Sequence, residues 1–357
     1  MQEEHGVALA GLTTMRVGGP AARLVTVTST DELVDAVREV DDADEPLLVL
    51  AGGSNLVVAD EGFEGTVVRV ATTGVTRESQ DSCGGAMVRV AAGEVWDEVV
   101  ARAVAEGWSG IEALSGIPGL TGATPIQNVG AYGQDVSQTI AQVRTWDREE
   151  QAVRTFFNAD AHFTYRHSRF KGNSRYVVLD VLFQFELADL CRPIGYAALA
   201  DGLGVELGAR VPLADARDAV LDQRRRRGMV LDDDDPDTWS CGSFFTNPFL
   251  SRSGYETLVG RAAQRLGADG PVPPRFDEPD GRVKTSAAWL IEQSGFGRGF
   301  GLPAPAALST KHTLAVTNRG GATARDVVAL ARQVRDGVHD TFGVTLVNEP
   351  VLVGLSL

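Results

Sequence analysis

The sequence predicts an α+β protein that consists of two α+β subdomains followed by a third α+β domain. The chain has 357 residues, more than the roughly 250–300 at which one hydrophobic core usually stops growing. Strand-like and helix-like segments alternate over its first third. Residues 203–240 then change from a helical pattern that ends in arginines to an acidic run, which indicates a domain boundary.

The first subdomain, residues 1–72, has the order of a βαβ-type unit. An apolar strand is predicted at residues 24–27. The helix STDELVDAVREV follows it, with Ser29 and Glu32 at the spacing of a capping box. Further apolar strands are predicted at residues 47–50 and 67–70.

The second subdomain, residues 73–227, is predicted to begin with the strand MVRVAA at Met87 and a helix over about 94–106. A glycine-rich stretch at 116–133 and the alternating strand YVVLDVLFQFEL come next. The pattern GVELGARVPLADARDAVLDQRRRRGM then indicates a helix that ends in four arginines and is stopped by Gly228.

The third domain, residues 228–345, is predicted to carry a helix at SAAWLIEQSG and a long amphipathic helix near its end. Thr323 is placed to cap the long helix and Gly343 to end it. Its apolar stripe consists of Val327, Ala331, Val334, Val338 and Phe342. Residues 346–357 are treated as a separate C-terminal segment, because they carry the motif NEPVLVG.

The composition and charge of the chain limit which classes of partner we expect. A net charge of −15 would repel nucleic acid and anionic membranes, so we expect neither as a partner. The N-terminus lacks the basic and apolar regions of a secretory signal, and no apolar run approaches the ~18 residues of a membrane helix. We therefore expect a cytoplasmic protein. Three widely spaced cysteines and five histidines without metal spacing predict neither disulfides nor a metal site.

Two glycine-rich segments are candidate ligand-binding segments. In AGGSN, at residues 51–55, glycines after an apolar strand let main-chain N–H groups approach a pyrophosphate, although a simple strand-ending turn is the alternative. The 116–133 stretch is too polar in its turns to be core, so it needs a partner. The candidate residues are Gly52, Gly53, Ser54, Asn55, Gly116, Pro118, Gly119, Gly122, Gln127, Asn128, Gly130 and Ala131.

Three further motifs carry reactive groups. TYRHSRFK, residues 164–171, could bind a carboxylate through Arg166, with a basic surface turn as the alternative. GSFFTNP, residues 242–248, places the Ser243 hydroxyl beside aromatic rings and an amide, and NEPVLVG contains Glu349. A turn serine and a solvated glutamate are the alternatives for these two residues. The chain has no GxGxxG, GxxxxGK[ST] or GxSxG, the motifs of dinucleotide binding, phosphoryl transfer and acyl transfer.

Taken together and in this order, the motifs resemble those of the UDP-N-acetylenolpyruvoylglucosamine reductases, FAD enzymes that make the muramic acid precursor of bacterial peptidoglycan. The resemblance runs from about Leu12 to Gly354 and includes RVGGPA at residues 16–21. It implies a FAD-binding fold of the PCMH/vanillyl-alcohol-oxidase type, in which the two glycine-rich segments wrap the FAD between the subdomains. It also implies a substrate-binding third domain and a C-terminal segment that returns to the active site. No histidine lies in the 51–55 loop, so FAD is expected to be non-covalent.

The resemblance also implies roles. NADPH reduces the FAD, and hydride from flavin N5 reduces UDP-N-acetylglucosamine enolpyruvate to UDP-N-acetylmuramate. Arg166 polarises the enolpyruvyl carboxylate, Ser243 supplies the proton and Glu349 works with it. Substrate binding is assigned to Tyr165, Tyr196, Arg227 and Asn247, with Tyr196 covering the uridine as in the longer members. Two positions depart from many members, which carry lysine at 227 and arginine at 351, where this chain has Arg227 and Val351.

Two other functions stay open on the sequence alone. An FAD-dependent sugar or alcohol oxidase of the same superfold would not need Ser243 and Glu349. A UDP-sugar binding protein without flavin would be colourless. The expected partners of the reductase are its UDP-sugar substrate and NADPH, and we expect a monomer.

Overall fold

The structure, a computed structural model, describes all residues from Met1 to Leu357. Its strands are, in chain order, β1 (Gln2–Ala8), β2 (Pro20–Val27), β3 (Leu47–Leu50), β4 (Leu56–Val58), β5 (Phe63–Val70), β6 (Val75–Asp81), β7 (Gly85–Ala91), β8 (Trp108–Ser109), β9 (Gly130–Ala131), β10 (Gln134–Asp135), β11 (Ile140–Asp147), β12 (Ala152–Phe157), β13 (Tyr176–Leu187), β14 (Phe249–Leu250), β15 (Phe276–Asp277), β16 (Val283–Lys284), β17 (Ala306–Leu308), β18 (Val316–Asn318) and β19 (Val351–Val353). The α-helices are α1 (Thr30–Asp42), α2 (Trp96–Ala105), α3 (Ala197–Leu203), α4 (Leu213–Arg226), α5 (Arg252–Leu266), α6 (Ala287–Gln293) and α7 (Ala324–Phe342). None of these helices is both long enough and apolar enough to span a bilayer.

The chain divides into two compact units. The first unit comprises Met1–Val7, Pro20–Gly53 and Phe63–Val230. The second unit comprises Ala8–Gly19, Ser54–Gly62 and Leu231–Leu357. The finer division at residues 72, 227 and 345 stays a prediction.

The first unit begins with a four-stranded sheet in the order β1-β2-β5-β3, in which β2 and β3 run parallel to β5. The βαβ order predicted for this part is therefore present. The Ser29 hydroxyl caps α1 by accepting the N–H of Glu32 at 3.2 Å. The Glu32 carboxylate accepts the N–H of Thr28 at 2.8 Å, so only the Ser29 half of the predicted capping box forms.

A six-stranded sheet completes the first unit, with the path β12-β11-β13-β7-β6 and β8 paired to β13. The alternating strand predicted at residues 176–187 is β13, whose central residues are almost all buried. One apolar core serves both sheets, with Val68 from β5, Trp96 from α2 and Phe183 from β13 in the same cluster. A smaller cluster packs α3 and α4 around Cys191 and Ile194.

The second unit contains a three-stranded sheet in the order β14-β16-β15, the strand pairs β17-β18 and β19-β4, and three α-helices. Its main apolar element is α7. The Thr323 hydroxyl accepts the N–H of Asp326, whose carboxylate accepts the Thr323 N–H, and Gly343 ends the helix at φ 70°. All five predicted stripe residues of α7 are buried. The helix predicted at SAAWLIEQSG is α6, but α5 was missed, because polar residues surround its few buried side chains, such as Leu258.

Candidate active site

The two glycine-rich segments meet in the first unit. Gly52 follows β3, and a Cβ atom built on it would lie 2.7 Å from the Cα of Gly119. Gly122 packs equally tightly on Ala92, the residue after β7, since a Cβ built on Gly122 would lie 2.5 Å from the Cβ of Ala92. Side chains would not fit at either position. The glycines therefore let main chain pack directly against its neighbours, which brings the two segments together at one place in the first unit.

Arg166 has a fixed position beside the second segment. Its Nη2 donates to the carbonyl oxygen of Gly130 at 2.5 Å, and its Nη1 lies 3.4 Å from both the carbonyl oxygen of Asn128 and a carboxylate oxygen of Asp135. The Cζ atom lies 5.1 Å from the ring centre of Tyr165. These contacts bring four predicted site residues together and place a cation at the glycine-rich stretch. Asp135 was missed, because an aspartate beside a turn gives no functional signal.

Backbone strain marks the same region. Asn128, Tyr132 and Arg166 have φ values of 48°, 51° and 53°. Residues other than glycine adopt such values only at a cost in free energy. Two side-chain hydrogen bonds of Asn128 offset part of this cost. Its side-chain amide donates to the carbonyl oxygen of Thr164 at 3.0 Å, and its side-chain oxygen accepts the N–H of Ser137 at 3.1 Å. Strained residues that cluster in this way are typical of functional sites.

Tyr196 lies on the segment that leads into α3. Its side chain is 38% exposed, and its ring meets that of Tyr132 edge-to-face, with centroids 5.2 Å apart and planes at 90°. An exposed aromatic ring next to the cofactor segment fits the predicted role as a cover for substrate. The contact joins the glycine-rich stretch and the Tyr196 segment within the first unit.

The arginine run ends α4, with Arg227 as the C-cap residue just beyond the helix. The buried side chains of α4 are Leu213, Ala216 and Val220. The same helical spacing leads on to Arg224 and Arg227, which are partly buried. Arg224 donates through Nη2 to the carbonyl oxygen of Met229 at 2.6 Å, whereas its buried Nε has no hydrogen-bond partner. Burial lowers the pKa of Arg224 to about 10. Only Arg227 was predicted from the sequence, although the helical spacing of the buried residues also selects Arg224.

In the second unit, the GSFFTNP segment pairs with the residues before β19. The N–H of Glu349 donates to the carbonyl oxygen of Phe244 at 2.9 Å, and the N–H of Thr246 donates to that of Val347 at 3.0 Å. Phe244 is buried and anchors the segment in the core. The pairing therefore places the backbone of Ser243 next to that of Glu349, although about a hundred residues separate them in sequence.

The end of the AGGSN motif joins this pairing. The side-chain amide of Asn55 donates to the carbonyl oxygen of Glu349 at 3.3 Å, and the carbonyl oxygen of Asn55 accepts the N–H of Val351 at 2.9 Å. β4 and β19 run parallel from this point. Cys241 adds a thiol donor to the carbonyl oxygen of Leu56 at 3.3 Å, and burial raises its pKa to about 12, so it is a packing group rather than a nucleophile.

Asn247 has a structural contact. Its side-chain oxygen accepts the N–H of Ala287, the first residue of α6, at 3.0 Å. This bond fixes the end of the GSFFTNP segment, and a role in substrate binding stays a prediction. No group of three or more His, Cys, Asp or Glu side chains is arranged to bind a metal ion.

Comparison with known proteins decides the family. A sequence model of the UDP-N-acetylenolpyruvoylglucosamine reductase C-terminal domain matches residues 234–353, and one of the FAD binding domain matches residues 21–155. The UDP-N-acetylenolpyruvoylglucosamine reductase of Thermobifida fusca is 58% identical over 353 residues, 99% of this chain and 98% of that protein. The chain belongs to the UDP-N-acetylenolpyruvoylglucosamine reductase family. The reductase of Streptomyces avermitilis is 57% identical, covering 100% of this chain and 96% of its own length.

The reductase fold extends along the whole chain. The crystal structure of the UDP-N-acetylenolpyruvylglucosamine reductase from Thermus caldophilus matches with a TM-score of 0.65 and 25% identity, covering 99% of both chains. The predicted family, the FAD-binding α+β fold, the enzyme class and FAD as cofactor are confirmed. Identity to reductases along the full length favours this activity over an oxidase or a flavin-free binding protein.

Proposed function

We propose that the chain reduces UDP-N-acetylglucosamine enolpyruvate to UDP-N-acetylmuramate, with NADPH as electron donor and non-covalent FAD as cofactor. The chemistry that FAD supplies when bound is hydride transfer, from NADPH and then through N5 to the terminal enolpyruvyl carbon. The observation that supports this most directly is the pairing of the Ser243 segment with the Glu349 segment, through the hydrogen bond from the Glu349 N–H to the Phe244 carbonyl oxygen.

Arg166 supplies the positive charge. Negative charge develops on the enolpyruvyl carboxylate as the double bond is reduced, and a cation that is already fixed lowers the free energy of that state without reorganisation. The hydrogen bonds of its guanidinium to the glycine-rich stretch provide such fixation. Its planar fork also suits a carboxylate, which accepts two parallel hydrogen bonds.

Ser243 supplies the proton. Reduction of the carbon–carbon double bond adds one hydride and one proton, and the proton goes from the Ser243 hydroxyl to the carbon beside the carboxylate. A serine can act as this acid because the carbanionic carbon is far more basic than a neutral substrate. Glu349, positioned by its main-chain bonds to Phe244 and Asn55, stabilises the transfer by hydrogen bonding.

The remaining predicted residues bind the UDP-sugar. Tyr196 covers the uridine, and Arg227 neutralises the charge of the diphosphate. Tyr165 and Asn247 line the substrate site. A cytoplasmic monomer without nucleic acid or membrane partners fits the net charge of −15 and a nucleotide-sugar substrate.

The visible spectrum of the purified protein tests the proposal. NADPH added without oxygen should bleach a flavin band, and UDP-N-acetylglucosamine enolpyruvate should restore it. Restoration by oxygen but not by the enolpyruvyl sugar would indicate an oxidase instead. A protein that stays colourless after incubation with FAD would be a flavin-free binder.

A further inference from the structure

Glu112 is a buried carboxylate of the first unit to which the reaction assigns no role. It is 2% exposed. One carboxylate oxygen accepts the N–H of Gly110 at 2.6 Å, and the other accepts the side-chain amide of Gln134 at 2.9 Å and the N–H of Arg192 at 2.8 Å. Three donors from three separate segments therefore converge on one side chain.

One of these donors belongs to the end of the glycine-rich stretch. Gln134 starts β10 and lies two residues after Tyr132. Its amide oxygen accepts the N–H of Ala113 at 2.9 Å, while its amide nitrogen donates to Glu112. The Gln134 side chain thus makes two hydrogen bonds, one to the Glu112 side chain and one to the Ala113 main chain, which fix the position of β10 relative to residues 112–113.

A second donor belongs to the base of the segment that carries Tyr196. The ends of this segment pair with each other, because the N–H of Cys191 donates to the carbonyl oxygen of Val211 at 2.8 Å and that of Ile194 to Ala209 at 3.0 Å. The N–H of Arg192 lies between these two bonds and donates to Glu112 instead. Glu112 therefore connects the base of residues 190–212 to the glycine-rich stretch.

The same two segments meet again at their functional ends. The rings of Tyr132 and Tyr196 are in edge-to-face contact at 5.2 Å. A Cβ on Gly133 would lie 3.9 Å from the Cα of Gly195, so the main chains are also adjacent. Edge-to-face contact is sensitive to the relative placement of two rings. That placement depends on anchors only a few residues away, Gln134 and Arg192, and both bind Glu112.

We infer that Glu112 is a positioning residue for the UDP-sugar, which sets Tyr196 over the substrate by fixing the 190–212 segment to the glycine-rich stretch. The inference rests on the proposed role of Tyr196 in substrate binding. A carboxylate is required at this position, because it offers acceptors only. A glutamine amide would turn a donor towards at least one of the three N–H groups and leave it unsatisfied.

Replacement of Glu112 by glutamine tests the inference. In Glu112→Gln, the KM for the enolpyruvyl sugar should rise at least about fivefold, whereas reduction of FAD by NADPH should stay within about twofold of the wild-type rate. The amide of Arg192 should exchange its hydrogen faster, which reports the broken connection independently of activity. Adding Glu112→Gln to Tyr196→Ala should raise KM no further than Tyr196→Ala alone, because the two residues act through one element.

The matched control is Asp180→Asn. Asp180, on β13, is a buried carboxylate of the same unit. It accepts hydrogen bonds from Arg89 at 2.7 Å and from Arg144 at 2.6 Å. The substitution Asp180→Asn should lower the melting temperature and leave the KM for the enolpyruvyl sugar unchanged. If Glu112→Gln does not fold, Gln134→Met removes the same connection from the other side and should give the same change in KM.

Four results would overturn the inference. Equal loss of both half-reactions in Glu112→Gln would show a general structural role, and additive effects in the double variant would show that Glu112 does not act through Tyr196. An unchanged KM in Tyr196→Ala would remove the substrate role of Tyr196 and this inference with it. A raised KM in Tyr196→Ala with a normal KM in Glu112→Gln would refute this inference and leave the proposed role of Tyr196 intact.

Discussion

The carboxylate of Asp97 accepts hydrogen bonds from both terminal nitrogens of Arg217, at 2.7 and 2.9 Å. This bidentate pair connects α2 to α4. The same carboxylate accepts the N–H of Gly116 at 2.6 Å, at the start of the glycine-rich stretch. Burial acts to raise the pKa of Asp97, but the hydrogen bonds from Arg217 and Gly116 outweigh it and hold the pKa below its ordinary value of 3.8. One ionised side chain therefore connects α4 to the cofactor segment.

The stability that Asp97 contributes should depend on pH. Because its pKa is lower in the folded protein than in the unfolded chain, the contribution is complete above about 3.8 and disappears as the pH falls through the lower, folded value. Asp97→Asn should therefore melt at a lower temperature than wild type at pH 7, and the difference should shrink below pH 4 or so. Melting curves of both proteins over pH 3–8 measure this. Asp218→Asn, an exposed carboxylate on α4, should show no such difference, and a gap for Asp97→Asn that is constant with pH would contradict the prediction.

Replacement of Gly52 by alanine should weaken FAD binding. The added Cβ would meet the main chain of Gly119 at 2.7 Å, and backbone atoms cannot move aside as a flexible side chain can. Overpacking of this kind costs about 1–3 kcal/mol, which corresponds to roughly 5- to 150-fold weaker binding if the strain falls on the cofactor segments. The flavin-to-protein ratio after gel filtration measures the effect. Gly297→Ala is the control, because nothing lies within 4 Å of its Cβ, and full flavin content in Gly52→Ala would count against these loops as the cradle.

Local signals in the sequence predicted much of the fold. The cap at Thr323, the stop at Gly343 and the apolar stripe between them define α7 without any information from distant residues. The missed α5 has few buried side chains and therefore a weak helical pattern. In the first unit, Asp97 and Glu112 were missed for another reason. Their importance comes from partners in other segments, and a lone acidic residue in the sequence is indistinguishable from a solvated one.

The candidate site depended on the family resemblance more than on pattern. No local rule predicts that Glu349 pairs with Phe244, since the two segments are far apart in sequence and neither has a long strand pattern. The AGGSN glycines could be predicted as a close approach of main chain, but not that Gly52 contacts Gly119. Arg224 could have been predicted from the sequence, because it continues the helical spacing of the buried residues of α4.

Arg166→Lys should impair the step that needs substrate. Lysine keeps the positive charge and the same main-chain φ of 53°, but a single ammonium cannot donate to Gly130 and bind a carboxylate through a planar fork. Loss of one fixed donor at a developing charge typically costs about 100- to 1,000-fold. The rate of flavin reoxidation by the enolpyruvyl sugar should fall by that factor, while reduction by NADPH changes little. Arg169→Lys, which alters an arginine that lies over Phe156 at 4.5 Å, is the control and should reoxidise normally.

Ser243→Ala gives the sharpest test of the proposed chemistry. The change removes one oxygen from the segment that pairs with Glu349, and the buried anchor at Phe244 remains, so folding and flavin binding should survive. Reduction of FAD by NADPH does not need this proton and should stay close to the wild-type rate. Reoxidation by the enolpyruvyl sugar should slow at least about 100-fold, the typical cost of losing a positioned general acid. Ser243→Cys keeps a transferable proton and should retain more activity than Ser243→Ala. Stopped-flow absorbance separates the two half-reactions, and reoxidation of Ser243→Ala at the wild-type rate would remove Ser243 from the mechanism and leave the proton to another donor.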